Sequence, residues 1–201
     1  MRDSGVPHVV ALSSVGADLE SGTGFIADLH VQEHRLRGLA DTNVLILRPG
    51  SFFDNFYAVL DLIRHEGVIA DSVAPDARLP MIAVRDIAEV AATALRARDW
   101  TGVVVRELLG ERDLSYAEAT SIIGAQIGQP DLPYLQLSDA DLVAALTQAG
   151  FSATFADLQV EMHHAFNDGT VVSREGRRPE NTTPTRFEDF AAELARAYRE
   201  G

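Results

Sequence analysis

Residues 43–57, NVLILRPGSFFDNFY, place a turn-forming Arg-Pro-Gly directly after an apolar run, followed by three Phe, an Asp-Asn pair and a Tyr. Pro49 removes a ladder donor and fixes φ, while Gly50 lets the backbone come close to a ligand. Phe52, Phe53, Asn55 and Tyr57 then supply flat apolar walls and one orienting amide for a small-molecule pocket. The competing reading is an ordinary strand-to-helix turn whose Phe side chains are core. A second group, His30-Val31-Gln32-Glu33-His34, fits H-x-x-E-H, in which two His on one helical face bind zinc and Glu acts as base. Two of its five positions are free and no third acidic ligand is singled out, so no metal is expected. His163 and His164 cannot point the same way on a helix and read as a surface pair. Asp86, in VRDIAEVA, reads as a structural acidic residue at a helix N-terminus.

Composition narrows the chemistry. All 17 basic residues are Arg, so a Schiff base or a phosphate-binding lysine is excluded within this polypeptide. A net charge of -13 opposes nonspecific binding to nucleic acid or an anionic membrane, and a small-molecule or protein partner is expected instead. With no Cys there is no disulfide framework or thiolate metal site. No segment resembles a signal peptide or is long enough to span a bilayer, which leads to the expectation of a cytoplasmic protein.

The elements that must position these residues follow from periodicity. HVVALSS (8–14) and VLILR (44–48) read as buried strands without alternation, as in a parallel sheet with helices on both faces. Residues 15–24 form a loop, and a helix runs from Phe25 to the Gly38 region. A helix over 52–65, extended segments at 68–70 and 79–83, a helix over 86–98 and a strand at 102–108 follow. Beyond residue 110 helices dominate, opened by Ser115 with Glu118, Ser138 with Asp141, and Thr185 with Glu188 as capping boxes. Residues 151–166 are also helical, and 133–137 extended. The fold class expected is α/β: a partial doubly wound, Rossmann-like parallel sheet over residues 1–110, with a mostly helical substrate-side lobe over 111–201 packed on it.

VVALSSVGADLESGTG, a helix containing LHVQEHRL, VLILRPGSFFDNF and IAVRDIAEVAATAL, in this order and spacing, resemble the NmrA-like family of atypical short-chain dehydrogenases. The resemblance implies a dinucleotide-binding fold and an oxidoreductase that uses NADP or NAD on a small carbonyl or quinone-like substrate. It puts Ser13 and Ser14 at the carboxyl end of a central strand, where such sheets bind ligands. It also runs Pro49 and Gly50 beside the nicotinamide, and lines the substrate pocket with Phe52, Phe53, Asn55 and Tyr57. Members of the family often carry a Lys shortly before the helical Glu; here His30 is the nearest polar substitute and the candidate proton donor.

The chain departs from the family in two respects. No G-x-G-x-x-G follows a strand, and Ala27 stands where a third glycine would follow Gly22 and Gly24. The first recognisable strand corresponds to a middle strand of the family, so the Gly-rich N-terminal portion is expected to be missing. The Tyr-x-x-x-Lys pair of many short-chain dehydrogenases is also absent. Three readings follow: an oxidoreductase or its remnant whose nucleotide half is supplied elsewhere, a non-catalytic nucleotide- or ligand-binding regulatory subunit, and a cofactor-independent enzyme using the residual pocket. A sheet ending at HVVALSS would expose an apolar edge, so a homo-oligomer or a complementing chain is expected.

Overall fold

The computed structural model describes residues 5–201. In chain order its elements are β1 (His8–Leu12), α1 (Phe25–Arg37), β2 (Asn43–Pro49), β3 (Ser51–Phe52), a 3₁₀ segment (Phe53–Val59), α2 (Leu60–Glu66), β4 (Ile69–Asp71) and β5 (Leu79–Ile82). They continue with α3 (Val84–Ala97), β6 (Val103–Leu108), β7 (Asp113–Leu114), α4 (Tyr116–Ile127), β8 (Tyr134–Gln136), α5 (Asp139–Gln148), α6 (Ala153–Asn167) and α7 (Phe187–Glu200).

The apolar run of β2 has no polar face because both of its faces are covered. It is the middle strand of a parallel sheet ordered β1-β2-β6, with Val9 opposite Val44 and Ile46 opposite Val105. Leu45 and Leu47 pack with Ile87 of α3 and Trp100. The alternate positions face α1, so Arg48 meets Glu33 of that helix. β1 has no second neighbour among the described residues, and Leu12 at its end is 50% exposed.

The largest core cluster joins Phe53, Phe56 and Ile63 to Ile123 of α4 and to Phe187 and Leu194 of α7. It draws on residues from both sides of position 110. Two short sheets frame it: β3 pairs parallel with β5, which pairs antiparallel with β7, and β4 pairs parallel with β8.

Local signals were honoured where nothing stronger competed. Ser115 and Glu118 form the complete reciprocal box, and Ser138 accepts from the Asp141 N–H. Thr185 does not cap α7. Its hydroxyl and its N–H both donate to Asp86, at 2.6 and 3.1 Å, and Arg186 becomes the N-cap residue without a side-chain cap. Asp86 thus ties the start of α3 to the start of α7. The helix expected over 52–65 is a 3₁₀ segment followed by a short α-helix. Gly50 is required by the fold itself: a Cβ there would lie 2.0 Å from the Pro80 carbonyl oxygen.

Candidate functional site

Ser13 and Ser14 follow β1 and Gly50 follows β2, which puts all three at the carboxyl ends of parallel strands. The ladder continues past β1, as the Ser13 N–H donates to the Leu47 carbonyl and the Val15 N–H to that of Pro49. Opposite these strand ends lies α6, brought close because Gly24 at the start of α1 has no Cβ: one would meet the Leu158 carbonyl at 2.0 Å. Between them is a cavity of about 690 Å³. Its strand-side wall includes Ser13, Ser14, Gly50, Phe52 and Asn55, and its helix-side wall includes Phe25, Phe155, Met162 and Phe166.

The remaining predicted site residues lie elsewhere. Phe53 is 1% exposed, with its ring 4.9 Å from Phe187 and 5.5 Å from Phe190, so it is core and not pocket wall. The one-residue step from Phe52 to Phe53 in a tight turn sends the two rings in different directions. Tyr57 stays outside the cavity lining, its ring edge-on to Phe190. Pro49 closes β2 and does not border the cavity. His30 does not reach it either: Nδ1 bonds the Ala17 carbonyl at 3.0 Å, tying α1 to the preceding loop.

Beneath Ser13 lies a buried ion pair that the sequence did not reveal. Glu33 Oε1 accepts from Arg48 Nε at 2.8 Å and from the Ser13 hydroxyl at 2.6 Å, and Oε2 accepts from Arg48 Nη2 at 2.7 Å. Burial pushes the Glu33 carboxyl up, but the Arg48 and Ser13 hydrogen bonds and the Arg48 charge outweigh it and leave the pKa lowered. Glu33, which the zinc motif would use as its base, is thereby spent as an anchor. Arg48 Nη1 also lies 3.8 Å from Asp18, which pairs with Arg174 at 2.8 Å. Glu107, 2% exposed, accepts the N–H groups of Arg174 and Glu175 and so pins the loop over 168–184.

A second polar group in the cavity wall was also missed. His163, read as half of a surface pair, is 3% exposed and borders the cavity. Its Nδ1 lies 3.0 Å from Asp71 Oδ1 and 2.8 Å from Ser72 Oγ, and its Nε2 lies 2.5 Å from the Gln159 amide nitrogen. His164 is exposed and meets Asp139. Tyr116 stands beside Asp71; burial first, and the Asp71 charge second, raise its phenol well above the ordinary value and keep it neutral. Asp71 and His163 are 92 positions apart, and no local pattern marks either.

A parallel sheet with helices on both faces and a cavity at its strand carboxyl ends defines the doubly wound ligand-binding class. The comparisons agree. No protein-family model matches the chain. Festuclavine dehydrogenase from Aspergillus fumigatus is 29% identical over 197 residues, and an uncharacterised oxidoreductase from Bacillus subtilis is 31% identical over 151 residues. These alignments cover 94% and 73% of this chain but 65% and 52% of the relatives' own lengths. Among solved structures, an NADPH-dependent quinone oxidoreductase from Escherichia coli, complexed with NADPH, superposes with a TM-score of 0.78 at 21% identity. That match covers 96% of this chain and 67% of that one. NmrA, a negative transcriptional regulator solved with NADP, gives 0.61 at 15%, over 96% and 63% of the respective chains. The chain shares the fold of these solved structures over nearly its whole length.

Proposed function

We propose that the chain is the substrate-side part of an NAD(P)-dependent oxidoreductase acting on small, flat carbonyl or quinone-like molecules. The observation that carries this reading is the cavity: largely apolar and aromatic, and bounded by Ser13, Ser14 and Gly50 at strand carboxyl ends. The related dehydrogenases and the nucleotide-bound structural neighbours support it. Ser14 and Gly50 carry no bulky side chain and would border the nicotinamide end of NADP or NAD, whose chemistry is hydride transfer. The sequence has no Gly-rich turn for the pyrophosphate, so that cradle would be supplied from outside residues 1–201, by further sequence or a complementing chain. In this reading the strands and α1 before residue 110 form one side of the cleft, and the helices of 111–201, α6 above all, form the other. Asp71 and His163 replace His30 as the groups placed to hold a proton at the cavity wall.

Calorimetry of the 201-residue chain with a naphthoquinone, NADPH and NADH tests this. The quinone is expected to bind, Phe155→Ala to weaken it by about tenfold, and each nucleotide alone to bind weakly or not at all. Absence of quinone binding, or binding indifferent to Phe155→Ala, refutes the reading. The lack of a Tyr-x-x-x-Lys pair favours a second reading, a ligand-binding regulatory subunit. It would be supported if a chain that binds quinone and nucleotide together shows no NADPH-dependent quinone loss.

A further inference from the structure

We propose that the cavity selects planar organic cations, with Asp71 Oδ2 as the group that receives the positive charge. This rests on the reading of the cavity as the substrate pocket. It goes further by assigning that pocket an electrostatic preference.

Asp71 ends β4 and borders the cavity, its side chain 25% exposed. One carboxylate oxygen is committed: Oδ1 accepts the Ser72 N–H at 2.7 Å and faces His163 Nδ1 at 3.0 Å. Oδ2 accepts no hydrogen bond among the described residues. The carboxylate is therefore held in one orientation with one oxygen unspent, the arrangement that an incoming cation meets at little entropic cost.

Among the described residues no guanidinium pairs with that oxygen. Among the described residues Asp71 is the only carboxylate bordering the cavity, and no Arg borders it. The nearby Arg48 is bound to Glu33 behind Ser13. Tyr116, beside Asp71, is neutral. His163 Nδ1 lies 2.8 Å from Ser72 Oγ and 3.0 Å from Asp71 Oδ1, so the ring stands on the committed side of the carboxylate. His163 thus stands against Oδ1, and Oδ2 has no ion-pair partner among the described residues.

The rest of the wall suits a flat cation. Phe25, Phe52, Phe155, Phe166 and Tyr116 surround the space, with Phe25 and Phe155 in contact at 4.8 Å between ring centres. Aromatic faces attract cations, and more so when water is excluded. A metal ion is a poorer match, because among the described residues no group of three or more His, Cys, Asp or Glu could hold one. The net charge of -13 adds a field that draws cations to the protein.

The test compares three bicyclic probes by calorimetry on the 201-residue chain: N-methylquinolinium, neutral 1-methylnaphthalene and anionic 1-naphthoate. The cation is expected to bind about tenfold more tightly than the neutral probe, and the anion most weakly. Asp71→Asn should bring the cation down to the neutral probe's affinity while leaving the neutral probe unchanged. Equal binding of cation and neutral probe by the native chain overturns the proposal, as does a cation preference that survives Asp71→Asn. If Asp71→Asn does not fold, the native-chain comparison decides, together with added salt, which should weaken only the cation. Naphthoquinone binding without a cation preference would sink this proposal and leave the proposed function standing; failure of every flat probe would sink both.

Discussion

Breaking the Glu33–Arg48 pair is expected to be among the costliest single changes in the molecule. Glu33 is 2% and Arg48 9% exposed, so Glu33→Gln leaves a buried guanidinium with only the Asp18 carboxylate, 3.8 Å away, in place of its bidentate partner and loosens the Ser13 hydroxyl. Removing one partner of such a pair costs about 3–5 kcal/mol. Against a total of about 5–15 kcal/mol for a domain, that is a large share. For a chain of this size it lowers Tm by roughly 6–20 °C. Replacing both residues with Met removes both desolvation costs, and the double variant is expected to lie near the native chain in stability. Urea unfolding followed by circular dichroism at neutral pH gives all four corners of the cycle. Acid titration supplies a second check with a definite sign. The folded-state carboxyl lies below its ordinary 4.5, so its contribution is fully present above that value and is lost as pH falls through the lower, folded value. The native chain is therefore expected to lose more stability below about pH 4.5 than Glu33→Gln does. A Glu33→Gln cost under about 1 kcal/mol, the size of an exposed pair, would refute the reasoning.

Phe53→Ala is expected to cost about 3–5 kcal/mol, as a ring enclosed by Phe187 and Phe190, and to leave flat-ligand affinity nearly unchanged. Phe52→Ala should cost less stability and more affinity, and the reverse pattern in paired melts and titrations would return Phe53 to the pocket. The β1 edge, with Leu12 exposed, is expected to drive self-association visible by light scattering as concentration rises. A stable monomer at high concentration would show that the edge needs no partner.

The sheet was legible because its evidence is local. A β-branched run with no polar face, as in 44–48, demands cover on both sides, and β2 received it from α1 and α3. The Ser115–Glu118 box was legible for the same reason, since its partners are three residues apart. The similar spacing of Thr185 and Glu188 misled, because Asp86, about a hundred positions away, took the Thr185 donors instead. Within FFDNFY the sequence marked a run of rings but not which ring faces the cavity. That choice depends on where α7 docks.

The sequence by itself determined the parallel strands, the absence of lysine chemistry and of a Gly-rich phosphate turn, and the placement of Ser13, Ser14 and Gly50 at strand ends. Each follows from composition or from a pattern within a few residues. Tertiary structure decided that Glu33 serves Arg48, that His30 bonds a loop carbonyl, and that Asp71, Tyr116 and His163 share one cavity wall. Those assignments depend on packing between segments far apart in the chain, where burial and the need to satisfy every buried polar group select among residues that look equivalent in sequence.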